Sequence, residues 1–335
     1  MTPAAILTSL IAIAAAALLS AAIIPAILPL LQRYAVARPN ARSSHRIPTP
    51  QGAGIAVIAA VLAVGGTSAV VLDLSAPVVL FGAIIFIALV GMADDIRSIR
   101  VLPRLLLQAA AVGAILYVAP ADFRIIPACP LWIERALLLL AGLWFVNLVN
   151  FMDGLDLMTV AEVVPITAAM VLLGWTGAYP QVPAVVAAAL CGAMLGFAPF
   201  NRPVAKVFLG DVGSLPIGLL LGWCLLQLAW HQQLTAALLL PLYYLADATI
   251  TLLRRIARHE PFWAAHRSHF YQRATDNGFT VPRVVGEVFG LNVGLALLAL
   301  TSTQINSTGY SLSLLAIGAT AVALMLYRFS RQRPL

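Results

Sequence analysis

The residues best suited to chemistry lie in the stretch 201–214, NRPVAKVFLGDVGS, where Asp211 is framed by Gly210 and Gly213. Glycines let the backbone approach a bound group closely, and a carboxylate supplies a hard oxygen ligand. This arrangement suits a Mg2+ ion together with a phosphate. An Asp211 that only caps the following helix would have the same surroundings, so the stretch alone leaves both interpretations open.

Two adjacent carboxylates, Asp94 and Asp95, end another apolar run within the sequence GMADDIRSIR. Such a pair suits a metal ion or a shared proton, because two like charges raise one of the two pKa values. The alternative is a solvated pair that is bridged by Arg97 or Arg100.

A polar ladder ends a further apolar run, since Asn147, Asn150, Asp153 and Asp156 recur every three residues. On a continuous helix this spacing brings the side chains to one face. Gly154 predicts that the helix ends there, so that the two acids lie in a short turn. A plain turn does not need this many polar groups at a membrane edge, and we interpret the ladder as part of a binding site.

Other candidates accompany these groups. Asn201 and Lys206 precede Asp211 at intervals of five, and Phe208 offers a ring on which a base could stack. Arg46 is suited to bidentate recognition of phosphate, although an arginine there is also a topology signal.

The largest polar loop contains two histidines three residues apart, His266 and His269, with Arg267 and Arg273 nearby. Imidazoles among arginines favour an anionic phosphate, and the neighbouring residues supply too few ligands to complete a zinc site.

Two acids, Glu162 and Asp247, fall inside apolar runs, where an acid is a candidate for function by default. Pairing of Asp247 with Arg254 is an equally good account of that residue.

The composition places all these groups in a membrane protein. Of 335 residues, 61% are hydrophobic and 10% are charged, whereas a soluble domain carries about 25% charged residues. We predict an all-α polytopic membrane protein that forms one integral-membrane domain. Apolar runs of sufficient length predict about eleven transmembrane helices, near 5–31, 53–72, 77–92, 103–119, 135–151, 158–175, 181–199, 213–230, 234–253, 285–302 and 310–328.

The basic residues predict the orientation. If the N-terminus is periplasmic and the C-terminus cytoplasmic, all of the 20 Lys and Arg residues except Arg124 and Arg135 fall on the cytoplasmic side. Topology thus accounts for the net charge of +7, and no nucleic-acid partner is expected. Except for Glu162 and Asp247, the candidate residues belong to, or directly adjoin, the predicted cytoplasmic loops, which we expect to form one active site: 32–52, 93–102, 152–157, 200–212 and 254–284.

Four motifs in this order resemble a known family: ADD at 93–95, NLVNFMDGLD at 147–156, the stretch 201–214 and HRSH at 266–269. They are similar to the polyprenyl-phosphate N-acetylhexosamine-1-phosphate transferases of the glycosyltransferase 4 superfamily, which includes WecA-like and MraY-like enzymes. The resemblance implies transfer of a sugar 1-phosphate from a UDP-N-acetylhexosamine to undecaprenyl phosphate in the bacterial inner membrane. It also implies release of UMP and a requirement for Mg2+, with Mn2+ as an alternative.

The resemblance further implies roles for individual residues. Asp211 and Asn150 match the metal site, and Asp94 and Asp95 match paired acids that deprotonate or orient the lipid phosphate. Asp156, Asn201 and Phe208 match positions that hold the uridine, and His266, Arg267 and His269 match the loop that grips the pyrophosphate and sugar. Arg46 falls near the family's basic residue before the second span. We therefore expect Asp94, Asp95, Asp211, His266 and His269 to be catalytic, and we include Asp153 and Lys206 among the residues that bind substrate.

One departure bears on the branch of the family. The muramoyl-pentapeptide enzymes share a triple-histidine segment where this chain has HRSHFYQR, which favours the O-antigen initiating branch and leaves the sugar open. A homodimer is one possible assembly. The alternatives are an ion-coupled secondary transporter, whose site would lie near the midplane, and a non-catalytic lipid-phosphate binder.

Overall fold

The computed structural model describes residues 3–37, 47–261, 266–305 and 307–332. Within these ranges the chain is predominantly helical, with one pair of very short strands, β1 (Val36–Ala37) and β2 (Thr49–Pro50). The helices are α1 (Pro3–Tyr34), α2 (Gly54–Val71), α3 (Val78–Ile96), α4 (Val101–Val118), α5 (Leu131–Met152), α6 (Met158–Thr176), α7 (Gln181–Phe197), α8 (Asp211–Trp230), α9 (Leu234–Leu239), α10 (Leu242–Ala257), α11 (Phe270–Asp276), α12 (Val281–Ser302) and α13 (Thr308–Phe329).

Ten of the described helices are long and apolar enough to cross a membrane. This confirms the prediction of an all-α polytopic membrane protein. The remaining apolar run, expected as one span over 234–253, is instead divided into α9 and α10 at Leu240 and Pro241. Proline has no N–H to donate and its ring obstructs the preceding turn, which interrupts the helix.

The centre of the bundle is formed by α6, α7 and α8. In these helices, between 72% and 78% of the most apolar stretch is buried, compared with 22% in α1 and α13. Small residues permit the close crossings of the bundle. A Cβ on Gly192 of α7 would lie 2.1 Å from the carbonyl oxygen of Ile13 in α1, as expected where glycines bring membrane helices together.

The segment that leads into α8 is fixed against the segment that leads into α2. Phe208 donates its N–H to the Pro50 carbonyl at 2.8 Å and accepts from the amides of Gly52 and Ala53 at 3.0 Å. A Cβ on Gly54 would lie 2.2 Å from the Cα of Gly213, so the first turns of α2 and α8 touch. These contacts position the start of α8.

Candidate active site at the helix ends

A cavity of about 540 Å³ lies where the ends of α3 and α5 meet the start of α8. Its volume is within the range of small-molecule sites, about 300–1,000 Å³. Its walls include seven of the residues predicted from the sequence, namely Asp95, Asn150, Asp153, Asp156, Asn201, Phe208 and Asp211.

Asp211 is the first residue of α8, and its carboxylate is held by an amide from α5. Asn150 Nδ2 donates to Asp211 Oδ1 at 2.7 Å and lies 2.9 Å from Ser214 Oγ. The preceding Gly210 has φ 75°, a left-handed conformation that glycine adopts without strain. The pair of Asp211 and Asn150 therefore forms directly at the start of a helix.

Asp95 caps α8 from a different helix. Its Oδ1 accepts the Asp211 amide and its Oδ2 accepts the Val212 amide, both at 3.0 Å. The first amides of a helix have no partner within the helix, and a carboxylate satisfies them with charge-assisted hydrogen bonds. The capping role that the sequence left open for Asp211 is therefore filled by Asp95.

Asp94 turns away from its neighbour and towards α4. Arg104 Nη1 lies 2.7 Å from Asp94 Oδ2 and 3.7 Å from Asp211 Oδ2. The other oxygen of Asp94 accepts the Ile99 amide at 2.5 Å. The partner of Asp94 is thus Arg104, a residue that sequence reasoning did not single out, in place of Arg97 or Arg100.

The fit of these residues to a metal ion depends on the ion. Over the described ranges, no three His, Cys, Asp or Glu side chains converge as a ligand cluster. Mg2+ is commonly held by one or two carboxylates while water and substrate phosphates complete its shell. Asp211, which shares the Arg104 nitrogen with Asp94, fits a site of this kind.

The turn between α5 and α6 supplies two further acids. Thr159 Oγ1 donates to Asp153 Oδ1 at 2.5 Å. Burial raises the pKa of Asp153 to about 7 against the opposing effect of the Thr159 hydrogen bond, and the charges of Asp95 and Asp156 raise it further. Asp156 Oδ2 accepts the Ala205 amide at 3.0 Å, which connects this turn to the segment before α8.

Asn201 has its hydrogen bonds within the protein. Its Oδ1 accepts the Leu157 amide at 2.7 Å, and its Nδ2 donates to the Val207 carbonyl at 3.0 Å. Asn201 therefore shapes the cavity wall with both ends of its amide. Phe208 is half-buried and lines the cavity, whereas Lys206 is exposed and does not line it.

The histidine segment lies beside the cavity without lining it. The rings of His266 and His269 stack with centroids 4.9 Å apart. Burial, followed by the proximity of His269 and Arg255, lowers the pKa of His266 to about 4, so this imidazole is neutral at pH 7. Arg267 turns to α11 and lies 3.1 Å from Thr275 Oγ1 and 3.2 Å from Asp276 Oδ1. Arg46, also predicted for this site, lies outside the described residues.

A buried acid from α10 anchors the histidine segment. Asp247 is 0% exposed, and its carboxylate accepts the amides of Phe270 and Tyr271, the first two residues of α11, at 3.0 and 3.1 Å. The same carboxylate lies 3.2 Å from His269 Nδ1. The pairing with Arg254 considered from the sequence is not what the structure shows, because that guanidinium lies over the Phe270 ring at 4.5 Å.

Comparisons with known proteins agree with this arrangement. The model of glycosyl transferase family 4 matches residues 77–229. The chain is 28% identical to the decaprenyl-phosphate N-acetylglucosaminephosphotransferase of Mycobacterium leprae over 310 residues, which cover 80% of the chain and 77% of the relative. It is 27% identical to the probable undecaprenyl-phosphate N-acetylglucosaminyl 1-phosphate transferase of Bacillus subtilis, with 79% and 80% covered. A shorter match, 38% identical, covers 26% of the chain and 27% of the phospho-N-acetylmuramoyl-pentapeptide-transferase of Oceanobacillus iheyensis.

These matches, with the apolar helices and the polar cavity at their ends, identify a multi-pass membrane glycosyltransferase. The family model and these relatives confirm the resemblance to the polyprenyl-phosphate hexosamine-1-phosphate transferases that the motifs predicted.

Proposed function

We propose that the protein transfers an N-acetylhexosamine 1-phosphate from a UDP-sugar to undecaprenyl phosphate and releases UMP. The observation that carries the proposal is the convergence of Asp95, Asn150, Asp153, Asp156 and Asp211 on one cavity at the ends of apolar helices. The relatives named as decaprenyl- and undecaprenyl-phosphate transferases support the choice of a polyprenyl phosphate as acceptor. The reaction would initiate O-antigen or a related cell-envelope polysaccharide, a branch favoured by the HRSH sequence.

In the proposed reaction, an oxygen of the lipid phosphate forms a bond to the β-phosphorus of the UDP-sugar. The bond from that phosphorus to the oxygen shared with the α-phosphate breaks, and UMP leaves with the electron pair. Catalysis of this kind is mainly positioning and neutralisation of charge. Mg2+, held by Asp211 with Asn150 beside it, would supply the neutralising charge on the pyrophosphate.

The protein residues then have separate tasks. Asp95 fixes the start of α8, and with it the direction of the Asp211 carboxylate. Arg104 lies between Asp94 and Asp211, where its guanidinium orients both acids and offers donors to a phosphate. Asp153, whose pKa is about 7, is suited to exchange a proton with a phosphate, whose second pKa is about 6.

A second, apolar cavity supports the choice of a lipid acceptor. It has a volume of about 260 Å³ and lies among α4, α5, α8, α9 and α10, with Phe145, Gly218 and Trp223 in its walls. None of the described residues that line it is charged. Gly218 is only about 10 Å along α8 from Asp211 at the usual helical rise. An isoprenoid chain seated there would have its phosphate close to the polar cavity.

The orientation is part of the proposal. With the N-terminus periplasmic and the C-terminus cytoplasmic, the polar cavity faces the cytoplasm, where nucleotide sugars are made. The distribution of Lys and Arg supports this orientation through the positive-inside rule. A reporter fused to the C-terminus should accordingly be cytoplasmic, and a periplasmic signal would contradict the proposal.

The decisive experiment is an assay of UMP release by purified protein in detergent. It contains undecaprenyl phosphate, Mg2+ or Mn2+, and a panel of UDP-N-acetylhexosamines. We expect release that depends on lipid and metal and is abolished in Asp211→Asn, while the exposed control Asp122→Asn remains active. Release that persists in Asp211→Asn would contradict the assignment of Asp211 to the metal. If the folded wild type releases no UMP with any donor of the panel, a non-catalytic lipid-phosphate binder would be favoured.

A further inference from the structure

Gln272 is a cavity residue to which neither the motifs nor the proposed reaction gives a role. It lies in α11, lines the polar cavity and is only 7% exposed. Its side-chain oxygen, Oε1, is buried and has no hydrogen-bond partner among the described residues. Buried acceptors in proteins are almost always paired, so an unpaired one on a residue that lines a ligand cavity points to a donor that arrives with the ligand.

The neighbouring polar groups are in a different situation. Both ends of the Asn201 amide are bonded to backbone groups, and both oxygens of Asp95 accept amides of α8. Gln51 donates from Nε2 to the Asp95 carbonyl at 3.3 Å. These side chains shape the walls, whereas Gln272 keeps an acceptor available for a ligand.

The position of Gln272 is fixed on both sides. Asp247 holds the first two amides of α11, and Tyr271 Oη donates to the Phe151 carbonyl at 2.9 Å. A Cβ on Gly154 would lie 3.2 Å from Gln272 Nε2 and 2.2 Å from Tyr271 Oη. The Gln272 carboxamide therefore rests on the turn after α5 and has little freedom to find another partner.

We propose that Gln272 accepts a hydrogen bond from the sugar of the UDP-sugar, from a hydroxyl or from the N-acetyl N–H, and helps to select the hexosamine. This inference rests on the proposed function. The uridine is assigned to Phe208, whose backbone is bonded to the segment 50–53. Gln272 rests against Gly154 in the same cavity, and the pyrophosphate offers only acceptor oxygens, so the hydroxyls and the N-acetyl N–H of the sugar are the donors that can pair with it. A buried acceptor discriminates strongly against a ligand that lacks the matching donor.

The test separates the sugar from the nucleotide. Binding of UDP and of the preferred UDP-sugar is measured by calorimetry for wild type, Gln272→Met and the exposed control Gln304→Met. We expect Gln272→Met to bind the UDP-sugar about tenfold more weakly while its affinity for UDP is unchanged. An equal loss for UDP, or no loss for either ligand, would overturn the inference.

Kinetics across the donor panel provide a second readout that a merely structural role would not move. In Gln272→Met the ratio of kcat/KM for the best donor to that for the second-best should fall towards one, whereas a uniform fall for all donors would overturn the inference. Gln272→Asn, which withdraws the carboxamide by one methylene, should give the same result and serves if the methionine variant does not fold. If wild type itself releases no UMP, the proposed function fails first; if wild type is active and Gln272→Met keeps its selectivity, only the role of Gln272 fails.

Discussion

Asp95 and Asp247 perform the same structural task on two sides of the cavity. Asp95, at the end of α3, accepts the first two amides of α8. Asp247, within α10, accepts the first two amides of α11. In both cases a carboxylate from one helix fixes the start of another, and the fixed helix carries a side chain into the cavity, Asp211 in one case and Gln272 in the other.

The two carboxylates differ in their surroundings. Asp95 lines the cavity, whereas Asp247 is fully buried and also receives the hydroxyls of Tyr243 and Thr251 at 3.3 Å. The first carboxylate is therefore part of the candidate substrate cavity and the second is part of the scaffold. An acid in a motif and an acid in an apolar run can thus both act by positioning the start of a helix. The distance of each acid from the cavity then decides how directly its substitution affects catalysis.

The largest effect is expected for Asp95→Asn. The asparagine keeps one acceptor and places an N–H2 against an amide that needs an acceptor, so α8 loses charge-assisted bonds worth about 1.5–3 kcal/mol each. A small displacement of Asp211 is then expected to lower kcat about 100-fold. UMP release measures this change, and hydrogen exchange should be faster in peptides over 210–216 but unchanged over 269–276. Wild-type turnover and exchange would show that the cap is dispensable.

The second-largest effect is expected for Asp247→Asn, where hydrogen exchange should change at α11 and not at α8. Exchange should be faster over 269–276 and unchanged over 210–216, because only α11 loses its cap. Since Asp211 remains in place, kcat/KM should fall about tenfold, the size expected for one or two lost hydrogen bonds, and the loss should appear mainly in KM for the UDP-sugar. Equal acceleration in both peptides would mean that the two caps are not independent.

The sequence predicts one half of this comparison better than the other. Apolar runs and adjacent acids placed Asp94, Asp95 and the helix ends at one membrane face, because span length and charge are local properties. The contact of Asp247 with α11 joins residues 23 apart and depends on how α10 packs. The break before α10 was also hidden, since Pro165 and Pro216 lie inside unbroken helices and a proline alone does not decide the outcome in a membrane.

The pH dependence of stability gives a third, smaller effect that distinguishes Asp95 from Asp247. The pKa of Asp153 is raised from 3.8 to about 7, with burial as the main cause and the charge of Asp95 as another. The folded protein thus binds this proton more tightly than the unfolded chain. Its contribution to the free energy of unfolding is greatest below pH 3.8 and is lost as the pH rises through about 7.

Melting temperatures measured from pH 5 to pH 8 check this expectation. The decline in melting temperature that is due to Asp153 is obtained as the difference between wild type and Asp153→Asn. In the Asp95→Asn background this decline should move to lower pH, because one repelling charge has been removed. It should stay in place in Asp247→Asn, since Asp247 is not among the groups that raise this pKa. An identical shift in both variants would contradict the assignment of the neighbouring charge to Asp95.

The smallest effect is expected for Arg267→Ala, which tests whether α11 is positioned from its start alone. Arg267 contacts Thr275 and Asp276 near the other end of α11, and Asp276 is half-exposed, so that their ion pair is worth about 0–1 kcal/mol. We expect kcat/KM within about threefold of wild type and a melting temperature lowered by about 2–4 °C at most. A loss as large as that of Asp247→Asn, without faster exchange over 269–276, would instead place Arg267 in contact with the substrate, as the family resemblance implies. The cap at Asp247 would then share the task of presenting α11 to the donor with a direct phosphate contact, and the parallel with Asp95 would be incomplete.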